Sequence, residues 1–545
     1  MNDSSNLNNP NHDYDLVVIG GGVVGLAILR AAQIQHTQNN TCSTNTTTRN
    51  WRCAVLEQED CVLSHASGHN SGIICTGVDA APNTLERALI REANSLIRVY
   101  CTQHNIPTRP CGSLVCDWSW NNTTEGKKNK KKDTQHVEAA VDVVDDEDED
   151  DVTDDDPLDK VLLESHNAGD THAKRLSSEE IHELEPYLAA SSCLLRGGIH
   201  IPGEIVIDPW LYSISLLCHA RENGATLYTN FTFDPELSWY DEESNSQSPY
   251  PWTIHPKPTP PNTTETPAAT ATTNANPILR AKVIVNAAGV WSDIIEQKTL
   301  QLQLQGNNNS SNTSKNKQRP HSKWNSRPRR GQYRIYSATA TNTANSSVLL
   351  PPILTHPIQP VPTPRTKGIF VFASMYHHVV VGPTALDQES KTDVTMDPSV
   401  AQQLDTYVQR ILPCLGQPSS NHKVIGNYVG IRPGSEHRDY QIHTYATQRW
   451  ITVGGIRSTG LTASLGIGNY LVRLVQQIMD TDLNLESQQH ATTAKFVVKT
   501  TPMPSIESLI NQYQKKDNTA GTVLIHGHNY KVTHPLTQLG WSGVI

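Results

Sequence analysis

A chain of 545 residues exceeds what one hydrophobic core ordinarily needs, so it must hold either two packed domains or one body with large insertions. Its net charge of −10 has one source: residues 142–159 carry twelve acidic groups and no basic one, and without them the chain stands near +2. Nucleic acid is excluded as an expected partner, because no basic stripe with interleaved aromatics is present, and a transmembrane helix is excluded because no apolar run reaches roughly 18–20 residues.

The first twelve residues, "MNDSSNLNNPNH", lack the basic and apolar parts of a secretory signal and the Arg of a mitochondrial presequence. A cytoplasmic location is expected, with a mitochondrial one as the alternative. "DLVVI" at residues 15–19 then reads as a strand buried on both faces, followed by Gly20, Gly22 and Gly25 and an apolar helix, "VVGLAILRAAQ". The first glycine suits a tight turn, the second lets backbone approach a pyrophosphate, and the third lets helix and strand pack closely. The N–H groups that open the helix, those of Val23 and Val24 among them, favour phosphate. The next strand, "CAVLE", ends in Glu57, with Gln58 after it. Its carboxylate suits ribose hydroxyls, although it stands 32 residues after Gly25 because the polar stretch "TQNNTCSTNTTTRN" intervenes.

Similar stretches follow at "NNTTEGKKNKKK", "KPTPPNTTETPAATATTNANP" and "GNNNSSNTSKNKQRP". They are too poor in large apolar residues to offset their ordering entropy and are expected to be disordered insertions. The acidic block reads as a solvated, self-repelling loop, with a docking tail as the alternative. Ten cysteines show no CxxC pair and no metal-ligand spacing, so reduced thiols and no metal are expected.

Residues 67–72, "SGHNSG", and the downstream "GVDAAPNTL" carry the chain's resemblance to the FAD-dependent oxidoreductases of the D-amino-acid oxidase type. That superfamily includes glycine oxidase, L-2-hydroxyglutarate dehydrogenase and FAD-dependent glycerol-3-phosphate dehydrogenase. "AKVIVNAAGVWSDII", with Ala288 and Gly289 at its turn, and "WITVGGIRSTGLTASLGIGNYL", with Gly455 and Gly460 before a helix, extend the resemblance. It implies an α/β fold: an FAD-binding, Rossmann-like domain of the glutathione reductase type, interleaved with an α+β substrate domain built on an antiparallel sheet. The expected segments are a disordered N-terminus at 1–13, an FAD-binding domain at 14–90, 206–299 and 431–485, and a substrate domain at 91–205 and 300–430. Insertions are expected at 121–160, 241–278 and 301–328, and a C-terminal extension at 486–545.

The resemblance also implies site residues. FAD would be held by Gly20, Gly22, Val23, Val24, Gly25, Glu57, Gln58, His69, Asn70, Ser71, Gly72, Ala288, Gly289, Gly455, Arg457, Ser458, Thr459, Gly460 and Leu461. His69 would accept a proton, since imidazole titrates near neutrality, and Arg432 and Arg457 would complete the catalytic set. Arg432, in "GIRP", would anchor an anionic substrate through its planar fork. Arg330 and Tyr333, in "RRGQYRIYS", are further substrate candidates, and strand alternation leaves open which of them faces the pocket. His377 and His378 read as exposed residues of a hairpin tip.

The expected activity is hydride removal from the C–OH carbon of a small 2-hydroxy acid, most like L-2-hydroxyglutarate. Glycerol 3-phosphate and then an amino acid are the alternatives, and a catalytically inert FAD-stabilised interaction protein is the alternative of another class. Cys75, Thr76 and Gly77 stand where the hydroxyglutarate branch has His-Ser-Gly, and Gly368, Ile369 and Phe370 where it has Gly-Val-His. Two imidazoles are thereby lost, which separates the chain from that branch. The electron acceptor would be external: dioxygen, a quinone or a carrier protein.

Overall fold

The computed structural model describes residues 12–39, 51–118, 156–189, 195–241, 249–258, 276–306, 324–337, 352–363, 367–415, 422–483, 498–514 and 521–543. Most of the polar insertions, the lysine run and residues 142–155 of the acidic block lie outside them. At the described end of that block Asp156 caps the helix Pro157–Asn167, Asp159 lies in its first turn, and both pair with Arg175.

One half of the molecule is a sheet whose core strands run parallel, in the order Thr226–Tyr228, Cys53–Leu56, Asp13–Ile19, Leu279–Asn286 and Trp450–Gly454. Every residue of Asp13–Ile19, Cys53–Leu56 and Trp450–Gly454 is buried, because one face of the sheet packs against helices and the other against Phe231, Phe233, Trp252 and Ile254. Helices Val23–Asn39, Leu85–Gln103, Pro209–Glu222 and Gly460–Leu483 supply much of that cover and pack into one core with the strands. An antiparallel extension, Trp239–Tyr240 and Trp252–Ile254, joins the edge at Leu279–Ala281. The second of these strands falls inside the 241–278 stretch expected to be an insertion, because Trp252 and Ile254 are fully buried against the sheet and anchor it.

The other half is a nine-stranded sheet, antiparallel apart from the pair Ser113–Trp118 and Ile358–Pro360. At its centre the long strand Ser326–Tyr336 runs beside Val424–Ser435 for its whole length, with Arg329 opposite Arg432, Gly331 opposite Gly430 and Tyr333 opposite Tyr428. Two expected boundaries move as a result. The insertion placed at 301–328 ends at a strand that begins at Ser326, and Arg432, assigned to the returning dinucleotide segment from 431, belongs to the substrate sheet. Of the hairpin histidines, His377 is exposed at the tip while His378 is buried, its Nδ1 3.4 Å from Ser374 Oγ across the turn.

The C-terminal stretch also differs from an extension. Val523, Ile525, Val532 and Trp541 are buried in the same core as the parallel sheet and its helices.

Candidate functional site

A cleft of about 1080 Å³ runs between the carboxyl ends of the parallel strands and the antiparallel sheet. Ligands of open α/β sheets bind at that end because the strands deliver loops and helix N-termini there.

Backbone geometry builds the first wall. Gly20 leaves its strand at φ +109°, and a Cβ on it would lie 2.5 Å from the Ala287 carbonyl oxygen. A Cβ on Gly25 would lie 2.0 Å from the Gly20 carbonyl oxygen, so the helix can cross the strand end only without a side chain there. The opening N–H of Val23 donates to Ser67 Oγ at 2.9 Å. Glu57 ends the neighbouring strand, buried, with its carboxylate accepting from the N–H groups of Gly21 and Glu59 at 3.0 Å each. Burial pushes its carboxyl up, against the pull of those two donors.

Gly20, Gly22, Val23, Val24, Glu57, Gln58, His69, Asn70, Ser71, Ala288, Gly289, Arg457, Ser458, Thr459, Gly460 and Leu461 all line the cleft. Gly25, Gly72 and Gly455 do not. They shape its turns from behind, Gly25 by contact with Gly20 and the other two by their positive φ. This cradle of small residues, the carboxylate at a strand end and two helix N-termini, those of Val23–Asn39 and Gly460–Leu483, fits a dinucleotide.

Side chains build the second wall. Arg327, Arg329, Gly331 and Tyr333 line the cleft and alternate along one strand, so Arg330 faces away. It bonds the Asp393 carboxylate, the Gln388 side-chain oxygen and, at 3.3 Å, the Thr395 carbonyl. The expectation that Arg330 contacts substrate is therefore corrected: period-two alternation assigns that face to Tyr333 and Arg329. Opposite them, Arg432 is held by a bond to the Thr384 carbonyl, and its Nε is buried with no hydrogen-bond partner among the described residues. It forms no ion pair there either, and burial pushes its guanidinium down to about 10. The paired glycines Gly331 and Gly430 leave a gap between the arginines and the tyrosines. The His69 backbone packs into it, since a Cβ on Gly430 would lie 2.5 Å from the His69 carbonyl oxygen.

His69 donates from Nδ1 to the His65 carbonyl at 2.9 Å. Burial pushes its pKa below the usual 6.5, so the imidazole is neutral near pH 7, and with Nδ1 protonated the lone pair sits on Nε2. Tyr333 stacks on Tyr428 with ring centroids 4.3 Å apart. Arg457 sits at φ +56°, a region unusual for a residue with a side chain. Its N–H donates to Pro433 O at 3.1 Å, its guanidinium to Arg438 O at 2.6 Å, and it lies 3.9 Å from Glu86.

Two lining residues, Lys367 and Glu204, were not singled out from sequence. Lys367 pairs with Asp79 at 3.0 Å, and Glu204 is buried nearby, where desolvation and then Asp79 push its carboxyl up to about 7. Cys75 accompanies them, its N–H donating to Thr462 Oγ1 at 3.2 Å. A lysine directly before the strand "GIFVF" was the available signal for the first. Nothing local marks Glu204, which reaches the cleft through long-range packing. Among the described residues no His, Cys, Asp and Glu cluster could hold a metal, and no helix is long and apolar enough to cross a membrane.

Residues 15–474 match the family model of FAD dependent oxidoreductases. The chain is 23% identical over 467 residues to the glycerol 3-phosphate dehydrogenase of Caloramator mitchellensis, covering 85% of this chain and 74% of that one. It is 36% identical over 136 residues to the mitochondrial L-2-hydroxyglutarate dehydrogenase of Nematostella vectensis, a match spanning 24% of this chain and 27% of the relative. In structure it resembles the dithionite-reduced, FAD-bound L-alpha-glycerophosphate oxidase of Mycoplasma pneumoniae, with a TM-score of 0.59, 20% identity, and coverage of 85% and 95% of the two chains. The glycine cradle, the returning strand and the second glycine turn all fall within the matched span, and the chain belongs to the FAD-dependent oxidoreductase family.

Proposed function

We propose that this FAD-dependent oxidoreductase oxidises the C–OH carbon of a small anionic substrate, and that glycerol 3-phosphate is the compound to test first. The observation that carries the reading is Arg432: a half-buried guanidinium lining the cleft, whose buried Nε has no hydrogen-bond partner and which forms no ion pair among the described residues, the nearby Asp387 being paired with Arg329. A partly desolvated cation of this kind is stabilised when an anion arrives to meet it.

FAD, when bound, supplies the hydride acceptor. Arg432 holds the anionic end of the substrate and so fixes which carbon faces the cofactor. Nε2 of His69 takes the hydroxyl proton. The stacked Tyr333 and Tyr428 exclude water from that end of the cleft, and the N-terminus of Gly460–Leu483 favours negative charge beside it.

The match that runs through most of the chain favours the phosphate ester. A second reading, the 2-hydroxy acid L-2-hydroxyglutarate, is supported by the shorter match of higher identity. Carboxylate and phosphate both suit an arginine fork, so the two are separated by experiment. The FAD-loaded protein is mixed anaerobically with each compound while the visible flavin absorbance is followed. Bleaching by glycerol 3-phosphate alone supports the first reading and bleaching by the hydroxy acid alone the second. An absorbance unchanged by both overturns the proposal and returns amino acids and the inert module to consideration.

A further inference from the structure

We propose that the C-terminal segment 521–543 positions the loop that carries His69, with His534 as the positioning residue. This rests on the reading of the cleft as the FAD site with His69 on its wall.

His534 is fully buried and caps the helix Pro535–Trp541, accepting the Leu536 N–H on Nδ1 at 3.2 Å. Its other nitrogen, Nε2, donates to the Asn70 carbonyl at 3.1 Å. The two bonds together require one neutral tautomer, and burial maintains it by pushing the imidazole down to about 3. The usual caps, Ser, Thr, Asp or Asn, satisfy a helix N–H with a short side chain. Imidazole adds a distal nitrogen that spans to a second element.

The receiving loop depends on that bond. The Asn70 carbonyl also accepts the Tyr428 hydroxyl at 3.0 Å. The Asn70 side chain then ties the loop to itself, donating to Ser67 O at 2.7 Å and accepting from Gly72 N at 2.9 Å. Thr533 completes the support, since a Cβ on Gly68 would lie 3.3 Å from its hydroxyl. Residues 67–72 are thus held between the cleft in front and the C-terminal segment behind.

The same short helix fastens the substrate sheet. Thr537 Oγ1 donates to the buried Asp208 carboxylate at 3.0 and 3.1 Å, and the Tyr376 hydroxyl donates to that carboxylate too. Trp541 Nε1 donates to the Tyr376 oxygen at 2.6 Å. Tyr376 lies in the turn between strands Phe370–Ala373 and Val379–Gly382 of the antiparallel sheet, whereas Asp208 caps a helix packed on the parallel one. One seven-residue helix therefore fixes the His69 loop relative to both walls.

The test uses the full-length, FAD-loaded chain with His534→Asn, which keeps a capping oxygen and loses the distal donor, and Tyr428→Phe, which removes the other donor to the same carbonyl. Hydrogen–deuterium exchange across residues 64–72, the visible flavin band, and kcat and KM for a substrate that reduces the wild-type flavin are measured. The expected result for His534→Asn is faster exchange at 64–72, a shifted flavin band, and a kcat lower by roughly ten- to a hundredfold with KM nearly unchanged. The double variant should exceed the product of the single effects, because the carbonyl then has no donor. A lowered thermal midpoint with wild-type exchange, band and kcat overturns the proposal and leaves His534 as a helix cap alone. If His534→Asn does not fold, Thr537→Val, which frees the same short helix from Asp208 while keeping His534, decides: faster exchange at 64–72 supports the brace and wild-type exchange overturns it. If no tested substrate reduces the wild-type flavin, the exchange and absorbance readings still decide, so failure of the substrate reading is told apart from failure of this one.

Discussion

The two walls of the cleft are made in different ways. The wall on the parallel sheet is built from backbone: glycines that permit a turn, helix ends that present N–H groups, and a carboxylate fixed by the loop N–H groups of Gly21 and Glu59. The wall on the antiparallel sheet is built from side chains on two paired strands, with Arg432 and Tyr333 in the cleft, Tyr428 stacked behind Tyr333 and Arg330 outside the cleft. A backbone site tolerates almost no added atom at its contact points. A side-chain site is set by parity, so neighbouring residues of the same type can have unrelated roles.

The largest expected effect therefore belongs to the first wall. Gly25→Val puts a branched side chain where even a Cβ would lie 2.0 Å from the Gly20 carbonyl oxygen, and the obstacle is backbone that cannot rotate aside. The strand and helix must separate, at a cost of about 1–3 kcal/mol or more. The purified variant should be colourless, with FAD absent from its absorption spectrum. A yellow variant with wild-type FAD content would break the contrast between the walls.

His69 stands between the walls and gives the next effect. Its folded pKa is lowered by burial, so the neutral, proton-accepting form persists to a pH below the ordinary 6.5, and protonation on further acidification removes the lone pair. The sign follows: kcat/KM should be flat from pH 8 down past about 6.5 and fall only below it. His69→Gln should lower kcat by roughly 10²–10⁴-fold and abolish that acid limb. Retention of the limb in the variant would assign it to another group, with Glu204 the first to examine because its carboxyl is pushed up to about 7.

The same division explains what was legible in the sequence. Gly20, Gly22 and Gly25 could be read because the strand, the turn and the helix they join are contiguous and each obeys a local rule. Glu57 was found by the same logic once the polar insertion before it was discounted. Arg330 was misplaced because strand period alone does not say which parity is inward. That was fixed by the pairing of Ser326–Tyr336 with Val424–Ser435, nearly a hundred residues away. The buried strand at Trp252–Ile254 was hidden by the polar sequence on either side of it, and the core role of residues 521–543 by distance, since Trp541 meets partners at Tyr376 and Trp210. Local chemistry is visible in a chain read alone, whereas contacts made by folding over hundreds of residues are not.

The parity argument yields the smallest effect and the sharpest comparison, between Arg432 and Arg330 on the central strand pair of the antiparallel sheet. Arg432→Ala should leave FAD bound and lower kcat/KM by roughly ten- to a hundredfold, the loss of one charge-assisted contact to an anionic substrate of about 1.5–3 kcal/mol. Arg330→Ala removes a side chain that bonds Asp393, Gln388 and Thr395 on the far face. A partly exposed ion pair contributes little to folding and nothing to a cleft it does not face. Steady-state kinetics should then show kcat/KM within about threefold of wild type, and thermal unfolding a midpoint only a few degrees lower. Equal losses in the two variants would mean that the strand as a whole, rather than the face it turns to the cleft, determines activity.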